Sequence, residues 1–143
     1  MPATTAVLER LPLFRGCTAA ELRLVGRFSE LVHVPDGEVL VREGRPGHEF
    51  FAIAEGRARV DRRGRTVAML GPGDHFGELA ILGQGHRDAT VISSGPLELL
   101  VLDERAFLGL LAELPAFSRR VLEAMAVRLR REDLGPEGSA QPS

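Results

Sequence analysis

The sequence FGELAIL at residues 76–82, followed after four residues by RDATV at 87–91, is the stretch on which the interpretation of this chain depends. A glycine before a short apolar helical turn leaves backbone N–H groups free at a helix start, where the helix dipole adds partial positive charge. Within this stretch Glu78 can accept a hydrogen bond from a sugar hydroxyl, and Arg87 can bind two phosphate oxygens at once. The stretch therefore predicts a site for a phosphorylated sugar.

The residues around this stretch predict a mainly β fold. Between residues 31 and 102, short segments with strand character are separated by turns rich in glycine, proline and aspartate. The predicted strands are 31–34, 38–42, 49–54, 57–62, 65–70, 89–93 and 97–102. Short strands at intervals of about 8–12 residues are typical of a sandwich or a barrel. The segment at 76–88 interrupts this series, and such an interruption is where a functional site is expected.

Helices are predicted on both sides of the strands. Thr18 and Glu21 form a capping box that starts a helix at about residues 19–29. Asp103 can cap a second helix, and Pro115 suits the first turn of a final one. One face of the final helix is apolar and consists of Phe117, Val121, Met125 and Leu129. This face must be covered by the strands, by a partner helix or by both.

The composition is that of one soluble domain. At 143 residues the chain can bury its own core, and we expect a single domain at residues 1–134 with a disordered tail at 135–143. A net charge of −2 argues against nucleic acid as the main partner. No apolar run approaches the roughly 18 residues that span a bilayer, and the single cysteine, Cys17, excludes an internal disulfide. We therefore expect a cytoplasmic protein that makes no membrane contact.

The stretch at 76–91 resembles the phosphate-binding cassette of the cyclic nucleotide-binding domain family, which includes the bacterial catabolite activator protein and the regulatory subunits of cAMP-dependent protein kinase. The likeness extends over roughly residues 7–131 and includes VLVREG at 39–44, FFAI at 50–53 and LGPGD at 70–74. It implies a jelly-roll-like antiparallel β-roll of about eight strands, with N-terminal helices and a C-terminal helix. It also implies a regulatory module that binds a cyclic nucleotide, cAMP or else cGMP, without catalysis and without a cofactor.

The resemblance implies a role for each residue of the cassette. Arg87 would pair with the cyclic phosphate, which the backbone amides of Leu79 and Ala80 would also bind. Glu78 would accept a hydrogen bond from the ribose 2′-hydroxyl, and Gly77 would contribute backbone contacts to the ribose. The predicted phosphate and ribose contacts thus both involve the start of one short helix.

Further positions follow from the same resemblance. Ala89 and Thr90 would begin the strand that returns under the ligand, and Val121 or Met125 in the final helix would cover the base. In relatives this helix often pairs two subunits, which implies a homodimer, and a regulatory module also implies an effector protein. Catabolite activators continue into a helix-turn-helix domain, whereas we expect a standalone module that does not bind DNA.

Asp88 departs from the family pattern, which has a small or hydroxylated residue after the cassette arginine. A carboxylate about 4 Å from a phosphate would cost about 4 kcal/mol at an effective dielectric constant of about 20. Asp88 therefore turns away, has a cationic partner or weakens the site. If it faced the base instead, it could accept a hydrogen bond from the 2-amino group of guanine and favour cGMP.

Two other classes of function stay open. The chain could be an interaction module that keeps the fold without the ligand, and Asp88 favours that interpretation. A jelly-roll metal enzyme of the cupin kind would need two histidines separated by one residue. His33, His48, His75 and His86 include no such pair, and His75 with Glu78 is the nearest approach to one. No metal site is therefore expected.

Overall fold

The computed structural model describes residues 3–83 and 85–134, and the predicted tail at 135–143 lies outside them. Five α-helices and one 3₁₀ turn, at Pro12–Phe14, accompany the strands in this part of the chain. The helices are α1 (Ala3–Arg10), α2 (Ala19–Phe28), α3 (Glu78–Leu82), α4 (Glu104–Glu113) and α5 (Pro115–Leu134). The strands are β1 (Glu30–Val34), β2 (Val39–Val41), β3 (Glu49–Arg62), β4 (Arg65–Leu70), β5 (His75–Phe76) and β6 (Thr90–Asp103).

The strands form one antiparallel sheet in the order β1–β6–β3–β4, with β2 paired to β6 and β5 paired to β3. The predicted fold class is confirmed, but the described residues form six strands where about eight were expected. The sequence EG at 55–56 and the sequence SGP at 94–96 were predicted as turns between separate strands, yet both lie inside the long strands β3 and β6. The pairing register of these two strands shifts beside Glu55, so the extra residues form bulges and do not reverse the chain.

The predicted helix starts are confirmed by their capping bonds. The Thr18 hydroxyl accepts from the Glu21 N–H at 3.1 Å, and the Glu21 carboxylate accepts from the Thr18 N–H at 2.8 Å. The Asp103 carboxylate accepts from the Ala106 N–H at 2.8 Å, and α5 begins at Pro115. These local signals set where α2, α4 and α5 begin.

Alternate residues of β3 belong to two different cores. Phe50 and Ala52 pack among the helices, whereas Phe51 and Ile53 point into the interior of the roll. This division follows from the period of two residues along a strand. β3 also pairs with β5, and a single residue, Gly77, separates β5 from α3. The same strand therefore holds the start of the cassette in place.

The first half of α5 packs against its own chain. Phe117 and Val121 are buried, and the Phe117 ring stacks on Phe14 with the ring centroids 5.2 Å apart. Met125 packs against the same core, whereas the side chain of Leu129 lies outside the described residues. The described part of the apolar face predicted for this helix is therefore covered by the other helices and the roll. No helix in the described part of the chain is long and apolar enough to cross a membrane.

Candidate functional site

A cavity of about 580 Å³ opens between the interior of the roll, α3 and the second half of α5. Its wall is apolar along the strands and carries charged groups at the cassette and on α5. The lining residues from the strands and from α3 include Val41, Val60, Val67, Leu70, Phe76, Leu79 and Ala80. The charged lining residues are Arg62, Arg87, Asp88 and Arg128. The cavity thus combines an apolar surface with a cationic end.

Gly77 precedes α3 in a conformation that only glycine adopts without strain. Its φ angle is +103°, and a Cβ atom at this position would lie 2.5 Å from the Glu49 carbonyl oxygen and 2.9 Å from Arg87 Nη1. The close approach brings the main chain of β3, the cassette arginine and the start of α3 together. The first backbone N–H groups of α3 have no partner within the helix, and both Leu79 and Ala80 line the cavity.

Arg87 is buried and is held by main-chain atoms. Its Nη1 donates to the Gly77 carbonyl at 3.2 Å, and its Nη2 donates to the Glu49 carbonyl at 3.0 Å. The guanidinium lies over the Phe51 ring, 5.8 Å from its centroid, and a side chain at Gly47 would overlap it. The ion pairs of the described residues do not include Arg87, so no carboxylate neutralises it directly.

Burial lowers the pKa of Arg87, and the carboxylates of Glu49, Glu78 and Asp88 act in the opposite direction. A guanidinium nevertheless stays protonated at all ordinary pH values. The cavity therefore contains a fixed positive charge whose position does not depend on a flexible side-chain partner.

Glu78 is buried, with 1% of its surface exposed, and both of its carboxylate oxygens have partners. Oε1 lies 3.2 Å from Nδ1 of His75, and Oε2 accepts from Nη1 of Arg128 at 2.6 Å. Burial acts to raise the pKa of Glu78, but the hydrogen bond and charge of His75 and the charge of Arg128 outweigh it, and the pKa is lowered. Among the described residues, Arg128 lines the cavity and Glu78 lies behind it.

Asp88 has a cationic partner, one of the arrangements that the sequence left open. Arg62, near the end of β3, donates through Nε to the Asp88 carbonyl at 3.1 Å and through Nη2 to Oδ2 at 3.3 Å. Both side chains are partly exposed at the rim of the cavity. The pair links the loop after Arg87 to the end of β3, the strand that pairs with β6 at Thr90.

The structure brings most of the predicted site residues to one cavity. The lining residues include six of them: Gly77, Leu79, Ala80, Arg87, Asp88 and Ala89. Thr90 has a structural contact, since its hydroxyl accepts from the Glu43 N–H at 2.9 Å. The predicted base-covering residues Val121 and Met125 pack in the core among the helices, and the described residue of α5 that lines the cavity is Arg128.

Arg62, His75 and Arg128 were not predicted as site residues. The spacing of three residues between His75 and Glu78 was visible, but it was considered only as a metal signal. Within the described part of the chain, no three histidine, cysteine or carboxylate groups converge as metal ligands would. His33 and His48 instead pair with single carboxylates, Glu98 and Glu104.

Residues 31–114 match the family described as the cyclic nucleotide-binding domain, and the chain belongs to that family. The cyclic AMP receptor protein of Thermus thermophilus is 33% identical over 128 residues, which cover 86% of this chain and 59% of that protein. A cAMP-dependent protein kinase regulatory subunit of Dictyostelium discoideum is 33% identical over 95% of this chain and 44% of its own length.

The crystal structure of Thermus thermophilus catabolite activator protein superposes with a TM-score of 0.79 at 33% identity, over 88% of this chain and 62% of that one. The similarity therefore extends well beyond the cassette and confirms the β-roll. The chain spans 59% and 44% of the two curated relatives described above, so it corresponds to one part of each of them.

Proposed function

We propose that this chain is a regulatory module that binds a cyclic nucleotide, with cAMP favoured, and that it catalyses no reaction. Arg87 is the observation that carries the proposal, because a buried guanidinium held by carbonyl oxygens, and in no ion pair among the described residues, presents its positive charge to a cavity of suitable size. The family to which the chain belongs supports the same ligand class, and two similar proteins carry cAMP in their names.

The cassette geometry supports the phosphate half of this assignment directly. Arg87 and the first amides of α3 meet at one end of the cavity, where they would bind the cyclic phosphate. Arg62 donates to Oδ2 of Asp88 and holds this side chain at the partly exposed rim, away from a contact with guanine, which supports cAMP over cGMP. No cofactor takes part in this proposal.

The ribose half requires a rearrangement. Glu78 is 1% exposed and lies behind Arg128, so a 2′-hydroxyl can reach its carboxylate only if Arg128 moves away from Oε2 or shares it. Nucleotide binding is therefore coupled to the position of the second half of α5. That coupling is consistent with a module that reports its ligand to an effector protein.

Calorimetric titration of the full chain with cAMP and with cGMP tests the proposal, beside a metal analysis of the purified protein. We expect saturable binding of one molecule per chain, tighter for cAMP, and no stoichiometric metal. Absence of heat and of any thermal shift with both nucleotides would overturn the function. It would support instead an interaction module without a ligand, which the occupied Glu78 carboxylate favours.

We also propose that two copies pair through the outer face of α5. Leu122 is 63% exposed on this helix, on the side away from the buried Phe117 and Val121. Exposed apolar side chains along a helix favour a partner helix. Sedimentation should show a concentration-dependent dimer that Leu122→Glu dissociates, and a monomer at all concentrations would contradict it. The expectations of a cytoplasmic location and of no DNA binding stay predictions.

A further inference from the structure

Strand β4 is a free edge of the sheet. Among the strands of residues 3–83 and 85–134, β4 pairs only with β3, so the main-chain N–H and C=O groups on its other side have no strand partner. Residues 65–69 are all exposed, and Met69 is 44% exposed. The sequence TVAM at 66–69 contains neither a charge nor a proline, two features that commonly protect an edge from pairing. This edge therefore has the features of a pairing site.

The turn between β3 and β4 holds three arginines in an arrangement that its own structure does not favour. Arg62 and Arg65 lie directly opposite each other on the two strands, and like charges in this position are destabilising. Arg63 lies between them with a φ of +54°, in the left-handed region, where turns of this kind favour asparagine, aspartate or glycine. An acidic partner would relieve the repulsion between these side chains.

The contacts of the turn leave two of these charges without a carboxylate partner. Asp88 pairs with Arg62 at 3.3 Å. The Glu43 carboxylate accepts from the main-chain N–H of Arg63 at 3.0 Å, but neither the side chain of Arg63 nor that of Arg65 takes part in an ion pair in the described part of the chain. Asp88 and Glu43 therefore fix the turn to the roll, and the edge does not have to be ordered when a partner binds.

The opposite end of the hairpin carries a further unpaired arginine. Ala58 pairs with Leu70, the last residue of β4, so Arg57 lies just beyond the end of that strand. Arg57 is exposed and takes part in no ion pair among the described residues, whereas Arg59 is neutralised by Asp61. The six residues of β4 span about 20 Å at about 3.3 Å per residue. Unpaired positive charges therefore lie at both ends of this edge.

We propose that the free edge of β4 binds an extended acidic segment of a partner protein as an additional strand. The main chain of the segment would pair with the edge, its carboxylates would lie near Arg65 and Arg57, and an apolar side chain would cover Met69. A second copy of this chain suits the edge less well, because antiparallel pairing of two β4 strands would bring Arg65 of one copy towards Arg57 of the other. A nucleic acid backbone would match the charge but offers no peptide N–H groups to the edge. The inference does not rest on the proposed function, since it involves neither Arg87 nor α3.

Titration of the full chain with a short peptide of alternating glutamate and valine tests the proposal, at about 0.15 M salt, where charges on other surfaces are screened. We expect saturable binding of one peptide per chain. Hydrogen exchange should slow at the β4 amides that β3 does not bond, whereas exchange in β1, at the other end of the sheet, should not change. Arg65→Glu should weaken peptide binding about fivefold, near the upper limit for one exposed ion pair. This variant should fold, because a carboxylate at this position faces Arg62.

Arg23→Glu is the matched control, since Arg23 is exposed on α2 and belongs to no ion pair of the described residues, and this variant should bind the peptide as the wild type does. A peptide of the same sequence with all its backbone nitrogens methylated keeps the charge but has no N–H donors, and it should not bind. Equal binding of the methylated peptide, or of a short oligothymidylate, would mean a contact by charge alone and would overturn the proposal. So would protection of β4 that rises with the concentration of the chain alone, since a second copy would then cover the edge. No saturable binding up to about 1 mM peptide would overturn it as well.

Discussion

The two charged residues of the cassette, Arg87 and Glu78, are held in place by different kinds of contact. Arg87 donates to carbonyl oxygens of β3 and of Gly77, so its position is fixed by the main chain of the roll. Glu78 bonds instead to side chains of β5 and of α5, and its partner on α5 lies 50 residues away in the sequence. The proposed phosphate half of the site is therefore built into the roll, whereas the proposed ribose half depends on where α5 lies.

The largest effect is expected from Arg87→Ala. This variant removes the guanidinium that main-chain carbonyls of the roll hold in place before a ligand binds. Cyclic nucleotide affinity should fall by about 1.5–3 kcal/mol, the value of a hydrogen bond between charged partners, or roughly tenfold to 150-fold. The unfolding midpoint should also fall, because the Gly77 and Glu49 carbonyls lose their donor. Calorimetry and thermal unfolding measure both effects. Arg59→Ala, away from the cavity, should change neither the affinity nor its salt dependence.

Gly77→Ala tests whether the phosphate half depends on the close approach of three backbone segments. Alanine at a positive φ destabilises a protein by more than about 1 kcal/mol, and the Cβ atom would also meet the Glu49 carbonyl at 2.5 Å. Gly64→Ala is the control, because Gly64 has a φ of +77° and open space around it. Chemical unfolding should show a larger loss for Gly77→Ala. Equal losses would mean that the strain of φ alone accounts for the effect.

Arg128→Gln tests the Glu78 side of the site, where a side chain of α5 is hydrogen-bonded to the Glu78 carboxylate. If Arg128 competes with the ribose for Oε2, the variant should bind cAMP about fivefold more tightly, or about 1 kcal/mol after discounting for the partial exposure of Arg128. A 2′-deoxy analogue should be unaffected. Arg120→Gln is the control, since Arg120 lies on the same helix and pairs only weakly with Glu123 at 3.6 Å. Equal changes for cAMP and its 2′-deoxy analogue would remove Arg128 from the ribose site.

The same contrast explains what the sequence could predict. The capping residues Thr18 and Asp103 and the FGELAIL turn act on neighbouring residues, so their effects were visible in the sequence. Glycines at 56 and 95 predicted turns but lie in bulges, because pairing between β3 and β6 over most of their length outweighs a local turn signal. The pairs of Arg128 with Glu78 and of Arg62 with Asp88 join residues 50 and 26 positions apart, and no local pattern distinguishes these two arginines from the others in the chain.

The smallest effect is expected in the pH dependence of folding stability. This measurement tests the contacts of the Glu78 carboxylate separately from those of Arg87. Glu78 has a folded pKa below the ordinary value of 4.5, because the contributions of His75 and Arg128 outweigh burial. A carboxyl with a lowered folded pKa stabilises the native state above its unfolded pKa, and this contribution is lost as the pH falls through the folded pKa. The free energy of unfolding should therefore decrease below about pH 4.5, more steeply in the wild type than in Glu78→Gln.

Glu123→Gln serves as the control for that measurement, because Glu123 is exposed on α5 and its contact with Arg120 is long. Its profile should be parallel to that of the wild type. Arg128→Gln should flatten the acid limb partly, since His75 remains beside the carboxylate. If Glu78→Gln and the wild type lose stability in parallel below pH 4.5, the Glu78 contacts are no stronger in the folded chain than those that water provides. Since the roll holds Arg87 through main-chain carbonyls, such a result would leave the phosphate half of the site unaffected and would limit the role of α5 to covering the cavity.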